Sequence, residues 1–259
     1  MIPLLPAMLL SFAPESVATL DRAVPQTDAN YLVLDIRSRE VIAARWPDAG
    51  APIPVGSLVK PFTALAYSGA FPRFECKGSA NSCWRAKPHG ALSFTEALAQ
   101  SCNAYFLQLA ALVDRDALSV TATTFGIPAP GPSPNSDTPE TRIGLGDAWR
   151  ISPIALLRAY AELASRAGDP RVDQILAGLE QAATSGTAQG LNRPGDRVLA
   201  KTGTAPCVAP RKHRGDGFAL VLYPAEAPRT ALLVRVHNVP GAEASKTAAK
   251  LLRALREGR

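Results

Sequence analysis

The sequence lacks most of the features that mark repeat proteins and nucleic-acid-binding proteins. It has no internal repeat, no low-complexity tract, no zinc-finger spacing and no basic run interleaved with aromatic residues. The net charge of +6 comes from basic residues, mostly arginine, that are spread along the chain. Such a distribution indicates a solvated basic surface, although it also suits an anionic polymer. We therefore expect no nucleic-acid partner.

Long hydrophobic runs are also absent after the N-terminus. Residues 1–18 form a short apolar stretch that ends in the small residues Ser16-Val17-Ala18, and no other segment is apolar enough to span a bilayer. This pattern predicts a secretory signal cleaved after Ala18, with residues 19–259 as the exported domain. The stretch has no lysine or arginine, so an uncleaved anchor and a wrongly assigned start codon stay as alternatives.

Cysteine is scarce, with four in 259 residues. Cys76 and Cys83 lie in one polar loop, and export would permit a disulfide between them, which the sequence leaves open. A zinc site made of Cys76, Cys83 and His89 would lack a fourth ligand and the usual spacing, so the sequence argues against one. We expect Cys102 and Cys207 to be buried or spectator thiols.

The pattern of apolar residues predicts an α+β fold. No linker divides the chain, and the Pro-rich run from Pro128 to Pro139 is short enough to be a loop within one domain. Strands predicted near both ends would form one antiparallel sheet flanked by helices, with an all-helical lobe inserted between them. The predicted strands are 31–36 and 41–46, which form a hairpin, and 197–201, 217–223 and 230–237.

The predicted helices have recognisable start and stop signals. Ser93 and Glu96 form a capping box for a helix that begins at Phe94, pauses near Ser101 and resumes as far as Leu112. Ser152 followed by Pro153 starts a helix that runs to Ala167, before Gly168. The other predicted helices span 56–68, 171–183 and 242–256.

Three short motifs carry the chemistry. In Ser57-Leu58-Val59-Lys60, helical spacing lets Lys60 reach the Ser57 hydroxyl, and a lysine shielded from water can act as the base that a serine nucleophile needs. In Ser101-Cys102-Asn103, Ser101 could relay a proton and Asn103 could hold an amide. In Lys201-Thr202-Gly203-Thr204, at the end of a predicted strand, the amine and hydroxyls suit a carboxylate and the glycine allows close approach of a ligand.

Each motif alone has an ordinary structural explanation. The first is also a helix start with a solvated lysine, the second a helix-breaking turn, and the third an edge strand protected by a lysine. Their occurrence together and in this order is the signature of penicillin-binding proteins and class A β-lactamases. The chain resembles the transpeptidase domain of class B penicillin-binding proteins from about Asn30 to Leu255.

Other segments extend this resemblance. The matching stretches are Trp84 with His89-Gly90, Arg142 to Gly146 followed by Ser152-Pro153, and Ser185-Gly186-Thr187-Ala188 ahead of the third motif. The resemblance implies that Ser57 attacks the penultimate D-alanine of a peptidoglycan stem peptide, or a β-lactam, and forms an acyl-enzyme. It implies that Lys60 is the base, that Ser101 passes the proton onward and that Asn103 fixes the donor peptide.

The resemblance also implies the remaining contacts. Lys201, Thr202 and Thr204, with Gly203 between the threonines, would bind the terminal carboxylate, and the backbone N–H groups of Ser57 and Thr204 would form the oxyanion hole. No metal or organic cofactor is implied. The acyl group would pass to an amine, as in transpeptidation, or to water, as in D,D-carboxypeptidation. The expected place of action is the periplasm or the outer face of the cytoplasmic membrane.

The sequence departs from the family at its N-terminal side, where no pedestal-like segment is found. We therefore expect a cell-wall synthesis protein to take the place of the pedestal. A class D-like β-lactamase is one alternative, but that class usually has valine at the position of Asn103. The Glu-x-x-x-Asn of class A enzymes is not evident, and Glu162 is expected on a helix surface. A non-catalytic β-lactam sensor or wall-binding module is another alternative, yet every key side chain is kept.

Overall fold

A five-stranded antiparallel sheet, built from both ends of the chain, organises the fold. The computed structural model describes residues 14–25, 29–131, 137–193, 195–207 and 215–257. The strand order is β2-β1-β9-β8-β7. The five strands are β1 (Ala29–Asp35), β2 (Val41–Arg45), β7 (Leu199–Ala205), β8 (Asp216–Tyr223) and β9 (Thr230–His237). Since β1 pairs with β9, the two ends meet in the middle of the sheet, and the predicted α+β fold is confirmed.

Alternation along the strands separates two hydrophobic cores. On β1, Leu32 and Leu34 belong to the core shared with the helical lobe, whereas Tyr31 and Val33 belong to the core on the other face. This is the period of two expected of a strand that is buried on both faces. The helix that ends the chain covers the second face, and the first helix packs against it.

The inserted lobe contains most of the helices. The helices are α1 (Pro14–Ala23), α2 (Lys60–Ala66), α3 (Phe94–Ala99), α4 (Asn103–Ala111), α5 (Arg115–Thr124), α6 (Pro139–Arg142), α7 (Pro153–Ser165), α8 (Pro170–Ser185) and α9 (Gly241–Glu257). Single 3-10 turns occupy Gly56–Val59 and Gly78–Asn81. Two small hairpin-like sheets pair β3 (Ile53–Pro54) with β6 (Arg150–Ile151), and β4 (Phe74–Cys76) with β5 (Gly90–Leu92).

The local start signals act as the sequence predicts. At α3, the Ser93 hydroxyl accepts from the Glu96 N–H while the Glu96 carboxylate accepts from the Ser93 N–H, which completes the capping box. At α7, the Ser152 hydroxyl accepts from the N–H of Ala155 at 3.2 Å. That helix ends at Ser165 instead of Ala167, because the chain already turns at Arg166.

The largest difference from prediction is in β7. The sequence predicts a strand over 197–201, but the strand runs from Leu199 to Ala205 and contains the whole third motif. Thr202 and Thr204 are good strand formers but Gly203 between them is a weak one, and this stretch stays extended because β8 pairs with it as far as Ala205↔Asp216. The third motif therefore lies within an edge strand and not at its end.

The N-terminal prediction falls mostly outside the described residues, which begin at 14. The helix α1 runs across the predicted cleavage point at Ala18, and its Leu20 is buried in the second core. The side chain of Asp21 accepts from Tyr31 Oη at 2.9 Å and pairs with Arg45 at 3.1 Å. Within the described ranges, no helix has both the length and the apolar character needed to cross a membrane.

Candidate active site

The Ser57 side chain stands on a tightly packed 3-10 turn between β3 and α2. Gly56 adopts φ +60, and a Cβ at this position would collide with the backbone carbonyl of Thr204 on β7. Glycine is therefore required for the turn to approach the strand. From the other side, Tyr160 Oη donates to the Leu58 carbonyl at 2.7 Å. Ser57 is partly exposed while its neighbours are buried, so this serine is presented to the cleft by a fixed backbone.

Lys60 begins α2 and is completely buried. Its Nζ donates to the Ser101 carbonyl at 2.8 Å and to Asn103 Oδ1 at 2.7 Å, and it lies 3.4 Å from Ser101 Oγ. No salt bridge to a carboxylate compensates its charge in the described part of the chain. Burial lowers the pKa of Lys60 to about 7, against a smaller opposing effect of the Cys102 and Cys83 thiols. A substantial neutral fraction near pH 7 is what a general base needs.

Ser101 joins α3 to α4 in an unusual backbone conformation. Its φ is +49, in the left-handed region that non-glycine residues seldom adopt. The conformation lets both its carbonyl and its hydroxyl meet lysines, since Lys60 Nζ donates to the carbonyl and Lys201 Nζ donates to Oγ at 2.8 Å. Backbone strain of this kind persists where surrounding contacts maintain it, and it concentrates at functional sites.

Lys201 on β7 is the second fully buried lysine. Its Nζ donates to Ser101 Oγ and, at 2.7 Å, to the Thr202 carbonyl. Burial lowers its pKa well below the usual value, and the nearby charge of Lys60 adds to the effect. The two amines therefore converge on one serine hydroxyl below the cleft, and Lys201 itself does not line the cleft.

The β7 wall of the cleft is held by hydroxyl contacts. Thr202 Oγ1 donates to Thr187 Oγ1 at 2.6 Å, and Thr204 Oγ1 accepts from the Gly241 N–H at 3.0 Å. A Cβ on Gly203 would lie 2.9 Å from the Val55 carbonyl oxygen. The glycine is thus needed for close packing of β7 on the segment that carries Ser57, in addition to the ligand approach that the sequence suggests.

These side chains surround a cleft of about 260 Å³. Six of the eight predicted site residues line it, namely Ser57, Ser101, Asn103, Thr202, Gly203 and Thr204, and the two lysines lie beneath. The prediction did not include Thr187, Leu145 or the segment 240–242 as lining residues. Thr187 could have been found, since it lies in the Ser185-Gly186-Thr187-Ala188 match. Glu162 is on the partly exposed face of α7, paired with Arg39 and Arg166.

The cysteines are arranged differently from the sequence expectation. All four are free thiols, so the Cys76–Cys83 disulfide that the sequence left open is not formed. Cys102, from the second motif, joins Cys76, Cys83 and His89 in one cluster. The expectation that a fourth donor atom is lacking beside Cys76, Cys83 and His89 was wrong, because Cys102 at the start of α4 brings its sulfur into the group. A second group, formed by Cys207, Asp216 and His237, offers three ligands.

The fold and the three motifs together point to a serine transpeptidase-type domain. The family model for the penicillin binding protein transpeptidase domain matches residues 49–257. The chain therefore belongs to the penicillin-binding protein transpeptidase family. Strands β1 and β2 precede the matched range, although they complete the sheet.

Solved structures agree on the fold. Pseudomonas aeruginosa PBP2 in complex with WCK 5153 is 19% identical with a TM-score of 0.77, and the match covers 96% of this chain and 74% of that one. The transpeptidase domain of the FtsI4 D,D-transpeptidase from Legionella pneumophila is 21% identical with a TM-score of 0.70, covering 94% and 93%. Penicillin-binding protein A from Mycobacterium tuberculosis, as a ceftriaxone acyl-enzyme complex, is 19% identical with a TM-score of 0.76, covering 93% and 78%. Among curated proteins, nothing matches.

Proposed function

We propose that this protein is a serine D,D-acyltransferase that acts on D-alanyl-D-alanine stem peptides of peptidoglycan through a Ser57 acyl-enzyme. The proposal rests on one arrangement: the buried amines of Lys60 and Lys201 both donate to Ser101, and Ser101 lines the same cleft as Ser57. A weak nucleophile needs a base, and a buried lysine with a pKa of about 7 supplies one.

The first step transfers the Ser57 proton to neutral Lys60 as Ser57 Oγ bonds to the carbonyl carbon of the penultimate D-alanine. Collapse of the tetrahedral intermediate breaks the peptide bond. The leaving D-alanine amine then takes a proton from Ser101 Oγ. Lys60, which holds the proton taken from Ser57, returns it to Ser101 Oγ. Lys60 Nζ lies 3.4 Å from Ser101 Oγ, which supports this relay, and the 2.8 Å bond from Lys201 Nζ orients the same hydroxyl. Water or an amine reverses the sequence and releases the acyl group.

Asn103 is suited to orient the donor peptide. Its Oδ1 is occupied by Lys60 Nζ, so the amide nitrogen is left to donate to a substrate carbonyl in the cleft. The backbone N–H groups of Ser57 and Thr204 are proposed as the oxyanion hole, and the close packing of the Ser57 turn on β7 supports that pairing.

The carboxylate of the terminal D-alanine is proposed to bind along β7. Thr204 Oγ1 accepts from Gly241 N–H, which leaves its own O–H proton to donate to a carboxylate. Thr202 stands beside it, and the amine of Lys201 lies below the cleft surface. Lys201 is fully buried, so we propose that it acts on the carboxylate through the field of its amine and through Ser101.

The place of action and the partners belong to the same proposal. Stem peptides and β-lactams are met outside the cytoplasmic membrane, so we propose an exported protein, in the periplasm or at the outer face of the cytoplasmic membrane. PBP2 from Helicobacter pylori, 18% identical with a TM-score of 0.76 over 94% of this chain and 62% of that one, was solved in complex with MreC. A cell-wall synthesis protein is therefore the partner class we propose here.

Covalent labelling tests the nucleophile. A fluorescent penicillin should label the purified chain, and Ser57→Ala should abolish labelling while Ser38→Ala, at an exposed turn serine, labels like the wild type. Undiminished labelling of the Ser57 variant would refute the assignment. Mass spectrometry of purified stem peptides would then separate cross-linking from trimming, and rapid turnover of nitrocefin without a stable adduct would instead favour a β-lactamase.

A further inference from the structure

Three thiols and one imidazole meet next to the second motif. Cys76 ends β4, Cys83 follows the 3-10 turn after it, His89 precedes β5, and Cys102 starts α4. Their four ligand atoms all lie within 4.8 Å of one another. The proposed acyl transfer uses none of these groups, so their convergence needs a separate explanation.

The separations fit a tetrahedral metal ion. With Zn–S bonds of about 2.3 Å and Zn–N bonds of about 2.0 Å, neighbouring sulfurs lie about 3.8 Å apart, and a sulfur and a nitrogen lie about 3.6 Å apart. Cys83 Sγ is 3.8 Å from Cys102 Sγ and 3.6 Å from His89 Nδ1, and Cys76 Sγ is 3.3 Å from the same nitrogen. A disulfide would need two sulfurs at about 2.05 Å.

The surroundings also suit a structural metal. Cys76 and Cys102 are fully buried and Cys83 is 7% exposed, so the group is shielded from solvent. Soft thiolates with one imidazole are the donor set that selects zinc.

The loop that carries the cluster has little else to hold it. Between Cys76 and Gly90 most side chains are exposed, and the buried ones are mainly the cysteines themselves and Gly78. The loop nevertheless supplies Trp84 to the cleft, and Trp84 Nε1 donates to the Gln100 carbonyl at 3.2 Å. A metal ion would cross-link this loop to the junction between α3 and α4, where Ser101 and Asn103 flank Cys102.

We propose that Cys76, Cys83, His89 and Cys102 bind one zinc ion in a closed Cys₃His site that fastens the β4–β5 loop to the second motif. With four protein ligands the ion has no open position, so its role is structural. Through the ion, the four residues would hold Ser101, Asn103 and Trp84 in place at the cleft.

Metal analysis of the purified full chain tests the site directly. We expect one zinc per chain, lost in Cys83→Ser and in His89→Gln. Ser79→Ala, at an exposed serine of the same loop, is the matched control and should keep one zinc. The proposal would be overturned if the wild-type protein held no zinc or if both ligand variants kept it. It would also be overturned by a mass two hydrogens short that maps to a disulfide of Cys76, Cys83 or Cys102.

A second measurement avoids variants that fold poorly. Replacing zinc by cobalt in the wild-type chain should give the sulfur-to-cobalt charge-transfer band and the intense visible bands of a tetrahedral thiolate site. Weak bands of an octahedral ion would contradict it. Neither metal content nor cobalt spectra depend on acylation, so failure of the zinc site and failure of the Ser57 proposal are separable.

Discussion

Two groups of side chains meet at residues 101–103 from opposite sides and have opposite chemistry. Ser101 and Asn103 contact the buried amines of Lys60 and Lys201 through short hydrogen bonds. Cys102, between them, contacts the soft donors of the cysteine cluster. One group is a polar network next to the cleft, and the other joins a surface loop to the core. We call the group around the two buried amines the lysine side, and the group of three cysteines and His89 the cysteine side. We expect the lysine side to carry the reactivity and the cysteine side to hold the geometry.

The lysine side should give the largest effect. Lys60→Met keeps an unbranched side chain in the buried space but removes the amine that would accept the Ser57 proton. We expect the rate of penicillin acylation to fall by about 10³-fold or more, with circular dichroism unchanged. Lys250→Met, at an exposed position of α9, is the control. Acylation of the Lys60 variant at the wild-type rate would remove Lys60 from the mechanism.

Substitutions at two adjacent residues of the second motif, Ser101 and Cys102, should have different effects on acylation and on zinc content. Ser101→Ala removes the hydroxyl between the lysines, so we expect acylation to fall by about 10²-fold while zinc content stays the same. Cys102→Ser should lose zinc and lower acylation by about tenfold to a hundredfold through misplacement of its neighbours. Measuring acylation and zinc in both variants checks this. If Ser101→Ala also lost zinc, the two sides would not be independent.

The pH dependence should follow the lysine side. Because burial lowers the pKa of Lys60 to about 7, protonated Lys60 prevails below that pH and cannot accept a proton. The acylation rate constant should therefore fall about tenfold per unit as pH drops below 7 and level off above it. Stopped-flow labelling between pH 5 and 9 measures the profile. A rate that stays flat from pH 5 to 8 would contradict a titrating base in this range.

Trp84 should give the smallest effect, because it belongs to the cysteine-bearing loop and its exposed side chain lies at the rim of the cleft. It is 56% exposed and lines the cleft next to Cys83. Trp84→Ala should raise the penicillin concentration needed for half-maximal acylation rate by a few fold, with zinc retained and the limiting rate little changed. Concentration series of labelling rates test this, and a drop confined to the limiting rate would assign Trp84 a different role.

The residues of the lysine side were predicted from the sequence, whereas the grouping of the cysteine side was not. The trio of motifs named eight candidate residues, each from a short local pattern with fixed spacing, and the structure brings these residues together at one cleft. The fourth member of the cysteine cluster was missed because Cys102 is separated from Cys83 along the chain, and the packing of α4 against the β4–β5 loop joins them. Nor could the sequence show that Lys201 contacts Ser101, one hundred positions earlier.

The fold itself was predicted where local signals are strong. The hairpin of β1 and β2, the capping box at Ser93 and the bounds of β9 follow from alternation, turn and cap residues. The extension of β7 through Gly203 was not predicted, because glycine interrupts the strand signal and extended structure at that position depends on pairing with β8. Small elements such as β3 with β6 carry no periodic signal at two residues each.

The pairing of β1 with β9 has a consequence for how the molecule is made. Asn30 and Arg235 face each other across this ladder and share a buried hydrogen bond, although they are 205 positions apart. A nascent chain therefore carries β1 with one edge unfilled until its last segments have been synthesised. Contacts of such long range slow folding and expose apolar strands in the meantime. In the sheet, β7 is joined to β1 only through β8 and β9. The strand β7, which forms the wall of the cleft behind Ser57, therefore takes its place only after β8 and β9 have been made. A partly synthesised chain has no complete cleft.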